Sequence, residues 1–273
     1  MGRFPAKPCL YGLIFIPFCR KTGPMMQPKD RILVALDTPD VAKAQHLSRQ
    51  LQGHVGGVKL GLEFFNANGH DGVRAVTHGD DDATPRGAAT PNQPLFLDLK
   101  FHDIPNTVAG AIRSVTPLAP KIVNVHASGG PAMMKAALQA AEFAAEPLGI
   151  TRPMVIAVTV LTSMDDADLT AVGQQGPTEE QVVRLAKLTQ DCGLDGVVCS
   201  AREIAAIRKA CGPDFKLIVP GIRPEWADKG DQKRTMTPRE AVDAGADYIV
   251  IGRPITQADD PVAAAKAIAE SLL

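Results

Sequence analysis

Short apolar runs alternate with longer segments of helical spacing from Arg31 to the end of the chain. The apolar runs are rich in β-branched residues and are followed by turn-forming residues, which is typical of buried strands. Eight such runs are present, at residues 32–36, 57–60, 95–99, 122–125, 154–158, 196–199, 216–219 and 248–251. The pattern therefore predicts eight strands, each followed by a helical segment.

The segments between the strands have apolar residues three and four positions apart, as amphipathic helices do. One example contains Val41, Ala44, Leu47 and Leu51. Eight strand–helix units of about 30 residues match the usual length of a (β/α)8 TIM barrel, so we predict an α/β protein with one such barrel as its single domain. An open doubly wound sheet is the alternative. It would need a glycine-rich loop after the first strand, where the chain has Asp37, Thr38 and Pro39.

Two segments interrupt this pattern. Residues 1–28 form an N-terminal extension that includes an apolar run at 9–19, which is too short to span a bilayer. No small-residue cleavage site follows this run, so we interpret the extension as a start codon placed too far upstream, with secretion as the alternative. Residues 78–94 are rich in Asp, Gly, Pro and Thr and predict an exposed loop. The barrel domain is expected at residues 29–273.

Composition excludes several classes of function. The chain has 29 Lys and Arg against 30 Asp and Glu, so its net charge of −1 gives no electrostatic reason to bind nucleic acid. Nine Phe, two Tyr and one Trp are too few to form a stacking surface for single strands. Five Cys residues at irregular spacing indicate reduced thiols and a cytoplasmic protein. Neither a nucleic-acid nor a membrane partner is expected.

Polar residues follow several of the predicted strands at the point where each strand ends. Barrel enzymes carry their chemistry at this carboxyl-terminal face, on strand ends and the loops that follow them. The residues in these positions are Asp37, Lys59, Asp98, Lys100, His126, Thr159, Arg223, Gly252 and Arg253. The sequence therefore predicts an active site at this end of the barrel.

The third strand, with the sequence FLDLKFHDIPNT, has the most informative polar pattern. Asp98 and Lys100 are two residues apart and should point to the same side, while Leu97, Leu99 and Phe101 face the helices. Charges that point into a barrel are costly to bury unless they are paired. Lys59 on the neighbouring strand could complete an alternating array. The alternative is a buried ion pair that only fills the mouth of the barrel.

Several motifs together resemble one known family. LDLKFHDIPNT is preceded by VKLG and followed in order by VNVHASGG, VTVLTSM, VPGIR, GDQKR and IGRPI. Over residues 31–273 the chain resembles the orotidine 5′-phosphate decarboxylase family. The resemblance implies a TIM barrel that converts orotidine 5′-phosphate to UMP and CO₂, the last step of UMP biosynthesis. It also implies a homodimer with shared active sites.

The resemblance further implies the catalytic residues. Lys59, Asp98, Lys100 and Asp103 form a charged tetrad around the reacting carbon, and Lys59 and Asp98 also contact the substrate. Asp103 and Thr107 come from the partner subunit of the homodimer. Lys100 supplies a proton to the carbanion that forms at C6 of the pyrimidine ring.

Other residues are implied in substrate binding. Asp37 holds the ribose hydroxyls, and Thr162 or Ser163 contacts the edge of the pyrimidine. The residues that bind around the phosphate are Arg223, Gln232, Gly252 and Arg253. A phosphate site here also has a physical basis, because main-chain N–H groups and guanidinium groups bind phosphate and barrels often carry such a site after strands seven and eight.

No metal and no cofactor are expected. The six His residues lack the close spacing of metal ligands, and protonation of a carbanion by Lys needs neither metal nor pyridoxal phosphate. Two alternatives remain open. A sugar-phosphate decarboxylase or aldol-type synthase of the same wider family would need Mg²⁺, and a non-enzymatic sensor would bind a phosphate ligand without reaction.

Overall fold

A computed structural model describes residues 26–78, 91–227 and 236–273. Eight parallel strands form one closed barrel in chain order, and β8 pairs with β1. The strands are β1 (Ile32–Ala35), β2 (Gly57–Gly61), β3 (Leu95–Phe101), β4 (Ile122–His126), β5 (Met154–Val158), β6 (Gly196–Val198), β7 (Lys216–Pro220) and β8 (Tyr248–Ile251). The predicted barrel is confirmed, and every predicted strand lies within two residues of its observed bounds. Because the sheet closes on itself, the open doubly wound sheet is excluded.

Helices surround the barrel, as the amphipathic segments predict. Those of the described residues are α1 (Val41–Leu51), α2 (Leu62–His78), α3 (Pro105–Val115), α4 (Gly130–Ala145), α5 (Asp166–Ala171), α6 (Thr178–Asp191), α7 (Ile204–Cys211), α8 (Pro238–Ala244), α9 (Arg253–Thr256) and α10 (Pro261–Ser271). Their apolar faces pack on the outward side chains of the strands and form the larger hydrophobic core.

A second apolar cluster fills the interior of the barrel. Its members are the inward residues Leu33, Ala35, Phe96, Ile122, Ile156, Ile218, Tyr248 and Val250. Because side chains alternate along a strand, Asp98 and Asn124 share the inward direction of Phe96 and Ile122 two residues earlier. The apolar cluster therefore forms the floor beneath the polar residues at the carboxyl-terminal end.

Partly buried ion pairs join elements at the opposite, amino-terminal end of the barrel. Asp247 immediately precedes β8 and pairs with the guanidinium of Arg208. Its carboxylate also accepts hydrogen bonds from Lys216 Nζ at 3.1 Å and from the Leu217 N–H at 2.9 Å. One carboxylate thus links α7, β7 and β8.

Asp247→Ala is expected to lower the free energy of unfolding by about 3 kcal/mol, because it leaves a largely buried guanidinium without its carboxylate partner. Urea denaturation measures this change. Asp243→Ala is the control: Asp243 pairs with Arg239 at 2.7 Å on the exposed surface of α8. Its loss should cost less than about 1 kcal/mol. Equal costs for the two variants would contradict the assignment.

Several predictions fall partly or wholly on residues outside the described ranges. These are the N-terminal extension up to residue 25, residues 79–90 of the predicted loop, and Gln232. Cys192, Cys199 and Cys211 are described, and all three are buried free thiols. None of the helices in the described ranges has both the length and the apolar character needed to cross a membrane.

Candidate active site

Four side chains of alternating charge form a row at the carboxyl ends of β1, β2 and β3. Lys59 Nζ lies 3.0 Å from Asp37 Oδ1 and 3.4 Å from Asp98 Oδ2, and Lys100 Nζ lies 2.6 Å from Asp98 Oδ1. The side chains of Lys59 and Asp98 are 11% and 12% exposed, whereas that of Asp37 is 66% exposed. The structure therefore brings together three of the four predicted tetrad residues and adds Asp37 at the outer end.

Strand register explains why these residues meet. Ala35 of β1 lies opposite Lys59 of β2, and Gly61 of β2 lies opposite Asp98 of β3. Asp37 is two residues beyond Ala35, so it reaches the barrel mouth next to the Lys59 ammonium. The row is built on three neighbouring strands, which fixes the spacing of its charges.

The backbone of β3 is not the regular strand that simple alternation predicts. Its pairing with β4 shifts register between Leu97 and Phe101, and Lys100 has a φ of 51°. This left-handed conformation is costly for a residue with a side chain. The predicted directions nevertheless hold, because Leu97, Leu99 and Phe101 join the outer core and Asp98 and Lys100 pair with each other.

Asn124 belongs to the site and was not predicted from the sequence. It lies fully buried in β4, where Nδ2 donates to Asp98 Oδ1 at 2.7 Å and Oδ1 accepts from the Lys100 N–H at 2.8 Å. The available signal was an amide within the apolar run IVNV. Such a side chain needs buried hydrogen-bond partners, which makes it a candidate for an interior polar site.

Asp98 experiences opposing influences on its protonation. Burial raises the pKa of this carboxyl, but the ammonium groups of Lys59 and Lys100 and the hydrogen bonds from Lys100 and Asn124 outweigh burial and lower the pKa below its ordinary value. Asp98 is therefore ionised at neutral pH. Its carboxylate pairs with the side-chain nitrogens of both Lys59 and Lys100.

At pH 4, where an ordinary Asp with a pKa of about 3.9 is close to half protonated, a larger fraction of the Asp98 carboxyl is expected to be ionised. Carbon-13 NMR of the Asp carboxyl carbons measures this titration. Because folding lowers the pKa of Asp98, its ionised carboxylate stabilises the fold at pH values above the pKa of the unfolded state. This stabilisation is lost as the pH falls through the lower pKa of the folded state. Lys59→Met should raise the pKa of Asp98.

Arg152→Met is the matched control, since it removes a cation that pairs at 2.8 Å with a different carboxylate, Asp195. It should leave the Asp98 titration unchanged. An Asp98 titration that is insensitive to Lys59→Met, or that shifts equally in both variants, would contradict the electrostatic assignment.

Asp103 and Thr107 lie beyond β3 in an exposed segment. Residues 102–107 are all exposed, and Ile104 among them is 67% exposed. Within the described residues Lys59 and Lys100 pair with Asp37 and Asp98, and Asp103 instead accepts a hydrogen bond from the Ile104 N–H at 2.6 Å. Part of this segment lines a cavity of about 550 Å³ with Ser128 and Gly129.

Two histidines lie beside the charged row. The rings of His102 and His126 have centroids 5.4 Å apart. Burial lowers the pKa of His126, and the neighbouring His102 and Lys100 lower it further. His126 is therefore a neutral imidazole at neutral pH and adds no charge beside Lys100.

Those predicted substrate-binding residues that the structure describes lie at the same end of the barrel. Thr162 and Ser163 are exposed in the loop that follows β5. Arg223 follows β7, and Gly252 and Arg253 follow β8, whose pairing with β7 places these two loops side by side. Arg223 is 9% exposed, and its N–H donates to the Met236 carbonyl at 3.1 Å.

Comparisons with known proteins agree with this geometry. A family model described as the orotidine 5′-phosphate decarboxylase / HUMPS family matches residues 30–268. The chain is 56% identical over 251 residues to the orotidine 5′-phosphate decarboxylase of Rhodospirillum rubrum, covering 92% of this chain and 97% of that protein. It is 53% identical over 241 residues to that of Paramagnetospirillum magneticum, covering 88% and 97%.

A solved structure supports the same relationship. The crystal structure of orotidine 5′-phosphate decarboxylase from Lactobacillus acidophilus superposes with a TM-score of 0.74 at 35% identity, covering 88% of this chain and 98% of that chain. From the barrel, the charged row and these similarities together, the chain belongs to the orotidine 5′-phosphate decarboxylase family.

Proposed function

We propose that this protein decarboxylates orotidine 5′-phosphate to UMP and CO₂, the last step of UMP biosynthesis, and that it works in the cytoplasm. The observation that carries the proposal is the row Asp37, Lys59, Asp98 and Lys100, in which the two central side chains are almost fully buried. Membership in the family supports the choice of substrate. The barrel domain, residues 29–273, contains all the residues involved.

Charge stabilisation is the central problem of this reaction. When CO₂ leaves C6, the electron pair remains in the plane of the ring, where no carbonyl or imine can accept it. Stabilisation must therefore come from charges that are already in place. The Lys100 ammonium, held 2.6 Å from Asp98, provides such a charge and donates the proton that completes UMP.

Asp98 has a second role in this mechanism. Its ionised carboxylate lies next to the carboxylate of the bound substrate, and the repulsion between them is relieved when CO₂ departs. Binding energy from the distant phosphate compensates for this repulsion. Arg223, Gln232, Gly252 and Arg253 supply the phosphate contacts.

Asp37, Thr162 and Ser163 orient the nucleoside part of the substrate. Asp37 holds the ribose hydroxyls, and its 66% exposed side chain leaves the carboxylate accessible from the barrel mouth. Thr162 or Ser163 contacts the edge of the pyrimidine. These contacts place C6 against the Lys100 ammonium.

The active form is a homodimer in which each site is completed by the partner subunit. Asp103 and Thr107 reach across to the partner's charged row and substrate. Two features support this arrangement: Asp103 stands outside the row of its own chain, and its exposed segment presents the apolar Ile104 to solvent. Burial of Ile104 between two copies would remove this apolar surface from water.

A direct assay tests the proposed reaction. UMP formation from orotidine 5′-phosphate should proceed at the same rate with and without a metal chelator, because the mechanism uses no metal and no cofactor. Activity lost to the chelator and restored by Mg²⁺ would favour the magnesium-dependent sugar-phosphate enzyme. Binding of UMP without release of CO₂ from orotidine 5′-phosphate would favour the sensor.

A further inference from the structure

The pairing of β3 with β4 is irregular beside Lys100. Leu97 pairs with Val123 and Phe101 pairs with Val125, so four steps along β3 correspond to two steps along β4. The additional residues form a bulge that includes Lys100 in its left-handed conformation. The residue whose amine donates the proton thus has a costly backbone geometry, which the surrounding structure must hold in place.

Asn124 lies on β4 between Val123 and Val125, directly opposite this bulge. The Lys100 N–H can only donate, so it must face the amide oxygen of Asn124, to which it lies at 2.8 Å. The NH₂ group of the same amide is thereby turned toward Asp98 Oδ1, at 2.7 Å. One buried side chain therefore holds both the backbone of Lys100 and the carboxylate that binds the Lys100 ammonium.

We propose that Asn124 is a positioning residue for decarboxylation, whose carboxamide fixes the bulge at Lys100 and the orientation of Asp98. This inference rests on the proposed function. Asn124 is 0% exposed, so it acts through its two neighbours and not by contact with the substrate. Without its amide, Lys100 loses the acceptor that holds its backbone, and Asp98 loses one of its donors. The ammonium then moves away from C6.

Asn124→Ala should lower kcat about 10- to 100-fold, because displacement of a catalytic group by about 1 Å has an effect of this size. The affinity for UMP, measured by titration calorimetry, should stay within about threefold of the wild-type value. Thr189→Val is the matched control. Thr189 is also 0% exposed, and its hydroxyl bonds to the Leu185 carbonyl at 2.7 Å within α6. Its loss should leave kcat within about twofold.

Asn124→Asp provides a second test that preserves the shape of the side chain. The new carboxyl would face Asp98, and two adjacent carboxyls share a proton at low pH. When the two carboxyls share one proton, that proton replaces the amide N–H that donates to Asp98 in the wild type. When both carboxyls are ionised, they repel each other. The nearby titratable groups are Lys59 on β2, Lys100 on β3 and His126 on β4. The kcat of this variant relative to wild type should rise about tenfold from about pH 8 to about pH 5.

Each outcome decides the proposal. It is supported by a selective loss of kcat in Asn124→Ala together with the acid recovery of Asn124→Asp. It is overturned if Asn124→Ala keeps kcat within about twofold, if kcat and UMP affinity fall together, or if the Asn124→Asp ratio does not change with pH. A wild-type protein that forms no UMP overturns the proposed function itself, whereas unchanged variants of an active wild type overturn only the role of Asn124.

Discussion

Lys100→Ala is expected to abolish UMP formation, with kcat at least about 10⁴-fold below that of the wild type. The substitution removes the proton donor and the positive charge nearest the developing carbanion at the same time. Asp98 lies 2.6 Å from Lys100 Nζ in the wild type. In the variant it would repel the substrate carboxylate with no Lys100 ammonium to offset the repulsion. Single-turnover conversion of orotidine 5′-phosphate, followed by chromatography of UMP, measures the effect.

Lys216→Ala is the matched control for this prediction. Lys216 Nζ also pairs with an aspartate, lying 3.1 Å from Asp247, but at the amino-terminal end of the barrel. Its loss should leave kcat within about twofold. If Lys100→Ala kept more than about one hundredth of the wild-type kcat, the assignment of Lys100 as the proton donor would be wrong.

Mixed dimers are expected to recover activity from two inactive variants. Lys100→Ala and Asp103→Ala each damage every site of their own homodimer. A mixed dimer has one site that carries both substitutions and one site that carries neither. Random exchange of subunits should therefore restore about a quarter of wild-type activity. The measurement is UMP formation after the two variants are mixed, dissociated and reassembled.

A second mixture serves as the control for shared sites. Lys100→Ala combined with Asp98→Ala should give no recovery, because both substitutions lie in the row of a single chain and every site of the mixed dimer keeps one of them. Equal recovery in the two mixtures, or none in the first, would contradict the placement of Asp103 in the partner's site.

The fold was largely predictable because burial on both faces leaves a clear signature in parallel strands. Each strand reads as an apolar run, and the polar residues that end the runs identify the functional end. The pairing of Asp98 with Lys100 followed from their spacing of two. The observed ion pairs agree with that expectation.

The local backbone of the site was not predictable in the same way. FLDLKF reads as a regular alternating strand, although β3 contains a bulge and Lys100 has a positive φ. The bulge depends on a side chain from another strand, Asn124, and single-chain periodicity carries no information about such partners. The proximity of Asp37 to Lys59 depended on the register between β1 and β2, which the alternation of residues does not specify.

The apolar floor of the barrel has a practical consequence for protein engineering. It separates the charged row at the carboxyl-terminal end from the ion pairs around Asp247 at the amino-terminal end. Substitutions at the two ends are therefore expected to affect different properties of the protein. In TIM barrels, the amino-terminal end contributes to the stability of the fold and the carboxyl-terminal end carries the catalytic residues. Mutant libraries that aim at greater thermal stability can therefore be confined to the amino-terminal end of the barrel, so that turnover is preserved.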